Sequence, residues 1–278
     1  MSQMTTQELE KIIEMYNEGN SLNELSRCFN YHPTTIKNNL IKANVKIRTR
    51  AEQNAISNMK RTKKINHEYF SNINNVNKAW MLGFLAADGT IRKDRNEIKI
   101  GLSSIDREIL EKIKEEMDME RNIHDSITGN GFNVSELCWS SKQQKEDLKK
   151  YGIVNNKTYL PMHLPNFEDK KLKLAFILGY FDGDGTISIS KEYYLRFRIC
   201  SYRDEILKDF AQFLKKEYNI DYSLSQKERG LYELSISTKY AKIIFNELYS
   251  LNSLKLDRKY QKYLEYINHE TTASLKEG

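Results

Sequence analysis

At 278 residues, with 39% hydrophobic and 29% charged residues, the chain is longer than one typical domain and too apolar for wholesale disorder. No run approaches the ~18 apolar residues of a membrane-spanning helix, and the N-terminus lacks the basic-then-apolar pattern of a secretion leader. Net charge is +6, mostly in the first quarter (Lys46, Arg48, Arg50, Lys60, Arg61, Lys63, Lys64), a distribution suited to a polyanion because each cation near a phosphate releases condensed counterions.

Leu9, Ile12, Ile13 and Tyr16 recur at helical spacing, predicting a first helix from Thr5 to about Asn17 that Gly19 ends. Ser21 with Glu24 makes a capping box for a second helix, SLNELSRCFN. Pro33 suits the first turn of a third helix, with Ile36, Leu40 and Ile41 buried and Thr34, Thr35, Lys37 and Asn38 facing outward. Three short helices with a tight turn before the third resemble a helix-turn-helix. Its third helix is expected to read base edges in the major groove, with the arm carrying Arg48 and Arg50 in a minor groove.

The chain then repeats itself. WMLGFLAADGTI (80–91) matches FILGYFDGDGTI (176–187), pairing Gly83 with Gly179, Asp88 with Asp184 and Thr90 with Thr186 at a constant spacing of 96. SSIDREIL (103–110) matches CSYRDEIL (200–207), and ELCWSS (136–141) matches ELSIST (233–238), so the correspondence runs through the whole unit. Each copy reads as an apolar helix ending at DG, an alternating hairpin, a helix, a second hairpin and a last helix. Ile98, Ile100 and Leu102 share one face in the first copy, as Leu195, Phe197 and Ile199 do in the second. The fold class predicted is α+β, with two pseudo-symmetric αββαββα halves, each bearing a four-stranded antiparallel sheet.

Gly83 and Ala87 are four apart, as are Gly179 and Gly183, so each motif helix carries a nearly bare stripe on which two backbones can meet. Close packing would then bring Asp88 and Asp184 together at the negative ends of two helix dipoles, where a divalent cation is the natural counterion. A DG pair alone would mark only a β-turn; the duplicated stripe reverses that reading. Pro161 and Pro165 fall between the copies, where an extended connection is needed.

MLGFLAADG (81–89) and ILGYFDGDG (177–185) resemble the signature of the LAGLIDADG homing endonucleases, in the form with both motifs in one chain. The resemblance spans about residues 70–267 and implies two halves meeting at their motif helices, with saddle-shaped sheets on a long, nearly asymmetric double-stranded DNA site. It further implies Asp88 and Asp184 as metal-binding acids, one per strand cut, with Mg²⁺ as cofactor and Mn²⁺ as a substitute. A basic helper in each half is assigned to Lys157 and Lys259. Groove contacts are assigned to Arg92, Lys99, Ser188, Arg196, Arg198 and Lys227. The sixth motif position is Ala86 in one copy and Asp182 in the other, so Asp182 is expected to cap or pack locally.

These readings divide the chain into a helix-turn-helix module (1–50), a basic linker (51–75), a first half (76–160), an inter-half linker (161–171) and a second half (172–270). The function they point to is a site-specific double-strand endonuclease, monomeric because one chain holds both halves. The alternative is a DNA-binding regulator or RNA-splicing maturase that keeps the fold without cutting. An intein is disfavoured, since no Cys or Ser nucleophile block opens the chain. Cys28, Cys138 and Cys200 fit no disulfide framework, and a cytoplasmic or other reducing compartment is expected.

Overall fold

A computed structural model describes residues 4–62 and 65–277, the side chains at 58–62 and 273–277 excepted. The backbone divides into two compact units, residues 1–65 and 66–278. Lys60, Arg61, Lys63 and Lys64 of the basic stretch lie outside the described side chains.

The first unit opens with α1 (Thr6–Asn17), α2 (Leu22–Phe29) and α3 (Pro33–Lys42). Thr5 with Glu8, and Ser21 with Glu24, close reciprocal capping boxes that satisfy amide groups left open at helix starts. Ile12, Tyr16, Leu25, Ile36 and Leu40 form the core. Ile41 does not join it as expected and is 51% exposed, because Val45 and Ile47 fold back to close that side.

Residues 51–75, expected as a linker, carry structure of their own. Helix α4 spans Arg50–Thr62, and Tyr69 and Phe70 are buried in the second unit, where the Tyr69 hydroxyl donates to Glu116. Their apolar side chains outweigh the basic composition of the stretch.

The second unit holds the two halves in the predicted order. The first comprises α5 (Val76–Ala87), β1 (Gly89–Ile91), β2 (Glu97–Ser103), α6 (Arg107–Glu116), β3 (His124–Ile127), β4 (Asn133–Ser140) and α7 (Lys142–Lys149). The second comprises α8 (Lys170–Asp184), β5 (Gly185–Ile189), β6 (Leu195–Ser201), α9 (Asp204–Tyr218), β7 (Ser223–Gln226), β8 (Tyr232–Ser237) and α10 (Thr238–Tyr249). The antiparallel sheets share one strand order, β1-β2-β4-β3 and β5-β6-β8-β7. A further helix, α11 (Asp257–Glu277), follows the second half. Between the halves, residues 161–167 have no regular element, and Asp209 accepts a hydrogen bond from the Leu164 amide.

Alternation puts Ile98, Ile100 and Leu102 inside one sheet and Leu195, Phe197 and Ile199 inside the other, as expected. Helices α5 and α8 are apolar all round, and every residue from Ala79 to Ala86 and from Leu174 to Asp182 is buried. Among the described residues no helix is long and apolar enough to cross a membrane.

Arg48 departs from its expected place in a DNA groove. Its guanidinium lies 3.8 Å from the Tyr16 ring centroid and donates to the Tyr16 and Asn20 carbonyls at 2.8 and 2.7 Å. It therefore ties the segment after α3 to α1. Arg48→Ala is expected to destabilise the first unit by about 2 kcal/mol, seen as a lower thermal midpoint for the unfolding of that unit.

Candidate active site

The motif helices meet through their glycines. A Cβ added at Gly83 would lie 2.0 Å from the Phe176 carbonyl oxygen, and one at Gly179 would lie 1.9 Å from that of Trp80. Only a hydrogen fits at either place, so backbone rests on backbone. At the end of the same seam, a Cβ at Gly183 would sit 2.4 Å from the Ala87 Cβ and 3.2 Å from Asp88 Oδ2. Ala87 and Gly183 thus bring the Asp88 carboxyl against the turn that carries Asp184.

Asp88 is half-buried and Asp184 opens to solvent at the helix ends. Both carboxyls are pushed above the ordinary range. For Asp88 the causes are burial and then the charge of Asp184, partly offset by Lys259 and Lys157, and the result is about 6. For Asp184 burial by the surrounding groups again leads, against Lys157, Arg203 and Lys259.

Lys157 and Lys259 come to the acid pair, each from the end of its own half. Lys157 Nζ donates to the Ala87 and Gly89 carbonyls, and Lys259 Nζ donates to those of Phe181, Asp182 and Gly185 at 2.6, 2.7 and 2.6 Å. Each ammonium therefore closes the carbonyl end of its motif helix, where the dipole favours a cation. Burial lowers both to about 8. Asp182, expected to cap or pack locally, instead makes long-range bonds: its Oδ2 accepts from Trp80 Nε1 of the opposite half at 2.8 Å and from the Leu256 amide at 3.1 Å.

The sequence reading missed Arg203. Its guanidinium is buried and donates to the Ala86 and Lys157 carbonyls, both at 3.3 Å, and to the Tyr180 hydroxyl at 2.9 Å. The Tyr180 hydroxyl also meets the Ser201 hydroxyl at 3.1 Å.

On the outer sheet faces, Lys99 lies opposite Thr90 and Arg198 opposite Thr186. Lys99 pairs with Glu136, and Arg198 sits 4.0 Å from Glu233 and 3.5 Å from the Ser188 hydroxyl. Lys227 reaches Glu233 at 3.0 Å, Arg92 reaches Glu97 at 3.3 Å, and Arg196 is exposed. In the first unit Thr34, Thr35, Lys37 and Asn38 are exposed together along α3, and Arg50 is exposed at the start of α4.

The raised Asp88 carboxyl sets a pH dependence. A folded-state value above the unfolded one favours folding fully below about pH 4, and that contribution fades as pH rises through 6. Asp88→Asn cannot ionise. It is expected to stabilise the metal-free protein by about 1 kcal/mol at pH 7.5 and to give no gain at pH 4, measured by thermal unfolding.

Comparison with known proteins adds the lineage. The DNA-directed RNA polymerase subunit Rpo1C of Methanocaldococcus jannaschii is 25% identical over 195 residues, 69% of this chain, and the chain spans only 21% of that relative's length. The I-LtrWI LAGLIDADG homing endonuclease bound to target DNA is similar at 15% identity and a TM-score of 0.49, over 74% of this chain and 92% of that one. The N-terminal LAGLIDADG domain of DUF199/WhiA is similar at 18% identity and a TM-score of 0.43, over 67% and 89%. The model of the LAGLIDADG-like domain matches twice, over residues 75–152 and 171–249, one match in each half. With more than half of its residues inside those two matches, the chain belongs to the LAGLIDADG-like domain family.

Proposed function

We propose that the chain is a site-specific DNA endonuclease that cuts both strands of a duplex by divalent-metal-dependent hydrolysis. The observation that carries the reading is the close meeting of the two motif helices, which sets the half-buried Asp88 carboxyl against the turn that bears the exposed Asp184. Their donor set fits Mg²⁺, which takes one or two carboxylates and completes its shell with water and substrate phosphate. Asp88 and Asp184 would hold the ions, and a bound ion would supply Lewis-acid stabilisation of charge at the phosphate and lower the pKa of water.

Lys157 and Lys259 add positive charge beside the phosphate and keep the helix ends rigid. Their hydrogen bonds to carbonyls make them electrostatic supports rather than proton carriers. The cations on the outer sheet faces, the exposed Arg92, Arg196 and Lys227 and the half-buried Lys99 and Arg198, would exchange neighbouring carboxylates and water for DNA. The α3 face (Thr34, Thr35, Lys37, Asn38) and Arg50 extend the bound site. One chain supplies both halves, so a monomer suffices.

A second reading, binding without cutting, is favoured by one observation: all three Lys259 ammonium protons are already taken by carbonyls. The test is incubation of a random-sequence duplex pool with protein and Mg²⁺, followed by sequencing of the cut ends. Wild type is expected to enrich one family of cut sites that the Asp88→Asn/Asp184→Asn double variant does not. If wild type binds a selected duplex tightly and leaves it whole, the second reading holds instead.

A further inference from the structure

The strand registers set one arrangement of side chains in the same place on both sheets. On the first, Lys99 lies opposite Thr90, and two residues further along β2 Gly101 lies opposite Glu136. On the second, Arg198 lies opposite Thr186, and two residues further along β6 Cys200 lies opposite Glu233. Gly89 and Gly185, which follow Asp88 and Asp184, take the neighbouring rung, so each cation stands one rung from the turn that carries its acid. The alternation that buries Leu137 and Leu234 turns Glu136 and Glu233 to the outer faces beside the cations. In each half the cation reaches diagonally, past a small residue, to the glutamate: Lys99 Nζ donates to Glu136, and Arg198 Nη1 lies 4.0 Å from Glu233. The match is particular to these positions, for two residues earlier on the same strands Glu97 stands where the second half has Arg196.

A half-buried carboxylate on a face that takes DNA has a demanding position. Phosphates repel it, and once its cation turns to the duplex it needs another donor. In the major groove the N4 amino group of cytosine supplies one, next to the O6 and N7 acceptors of the paired guanine, which suit Lys or Arg. A cation beside a carboxylate presents the complement of that edge. An A·T pair offers the purine N7 beside an N6 donor, so the cation loses one of its two acceptors there.

We propose that Lys99 with Glu136, and Arg198 with Glu233, are two matching readers of a G·C pair, one in each half-site, with the cation on the guanine and the glutamate on the cytosine amino group of the same pair. The inference rests on the DNA-binding part of the reading above and not on cutting. Because both readers stand at the same rung of their sheets, the two G·C pairs lie in inverted orientation at equal distances from the centre of the site. A target that is otherwise nearly asymmetric thus keeps one palindromic pair of positions, and the unlike Glu97 and Arg196 meet unlike bases.

The test is repeated selection, from a random-sequence duplex pool, of the DNA that the full chain binds, with EDTA present to prevent cutting, followed by sequencing. Wild type is expected to enrich a site with one G·C pair in each half, in inverted orientation about the centre. Glu136→Gln should lower the preference for that pair by about tenfold in one half-site alone, and Glu233→Gln in the other, since glutamine also accepts adenine. Thermal unfolding of each variant checks the fold. A merely structural role would weaken binding to every duplex alike and leave the base preferences as they are in wild type. Selected sites that lack the matched pairs, or base preferences unmoved by both substitutions, would overturn the readers and leave DNA binding standing. Enrichment of no duplex by wild type would overturn DNA binding and the readers together.

Discussion

Gly179→Val is expected to abolish the cooperative unfolding of the second unit. Two added methyls cannot be absorbed by rotamer change, because the atom 1.9 Å from the new Cβ is the backbone oxygen of Trp80. The helices would have to part by more than an ångström along a seam where Trp80, Phe84, Phe176 and Tyr180 are all buried. Overpacking of this kind costs about 3 kcal/mol or more, a large share of a typical domain's stability. Circular dichroism melting checks it. Gly129→Ala is the matched control: no atom lies within 4 Å of its added Cβ, and its unfolding midpoint should match wild type. A Gly179→Val protein that melts like wild type would show that the helices do not touch through this stripe.

Asp184→Asn should lower double-strand cutting of a selected target by about 10³-fold, equivalent to about 4 kcal/mol of lost transition-state stabilisation. Asparagine keeps the shape of the side chain, so packing is conserved while the charge that would hold the ion is removed. With Asp88 intact, one strand is still cut, and supercoiled plasmid should accumulate as the nicked form. Asp88→Asn should give the complementary nick on the other strand, visible by end-labelling each strand separately. Full linearisation by both single variants at wild-type rate would contradict the assignment of one acid to each cut.

Local rules made much of this legible in advance. Capping at Thr5 and Ser21, the alternation in β2 and β6, and the glycine stripes depend on neighbours a few residues away, and each folded as its spacing predicts. Expectations failed where a long-range contact decided. Arg48 was read by its charge, but the ring of Tyr16, distant in sequence, captures it. Residues 66–75 were read by the basic composition around them, although Tyr69, Phe70 and Ile73 signalled burial. The lysines at 157 and 259 reached the predicted neighbourhood, yet their hydrogen bonds to carbonyls required knowing which helix end each one approaches. Arg203 had a signal in the aligned repeats, which set it opposite Asp106 at a helix start.

The contact between Asp182 and Trp80 has an evolutionary corollary. Repeat symmetry places Phe176 where the second half would offer its own counterpart of Trp80, and Ala86 where the first half would offer its own counterpart of Asp182. Two copies of the second half would set a buried carboxyl against a phenyl ring with no N–H to meet it, and two copies of the first would leave the indole N–H unanswered. The duplicated modules are therefore no longer equivalent: a pairing of two like halves would lose the polar bond across the seam that the unlike pairing keeps, at a cost of about 1–3 kcal/mol.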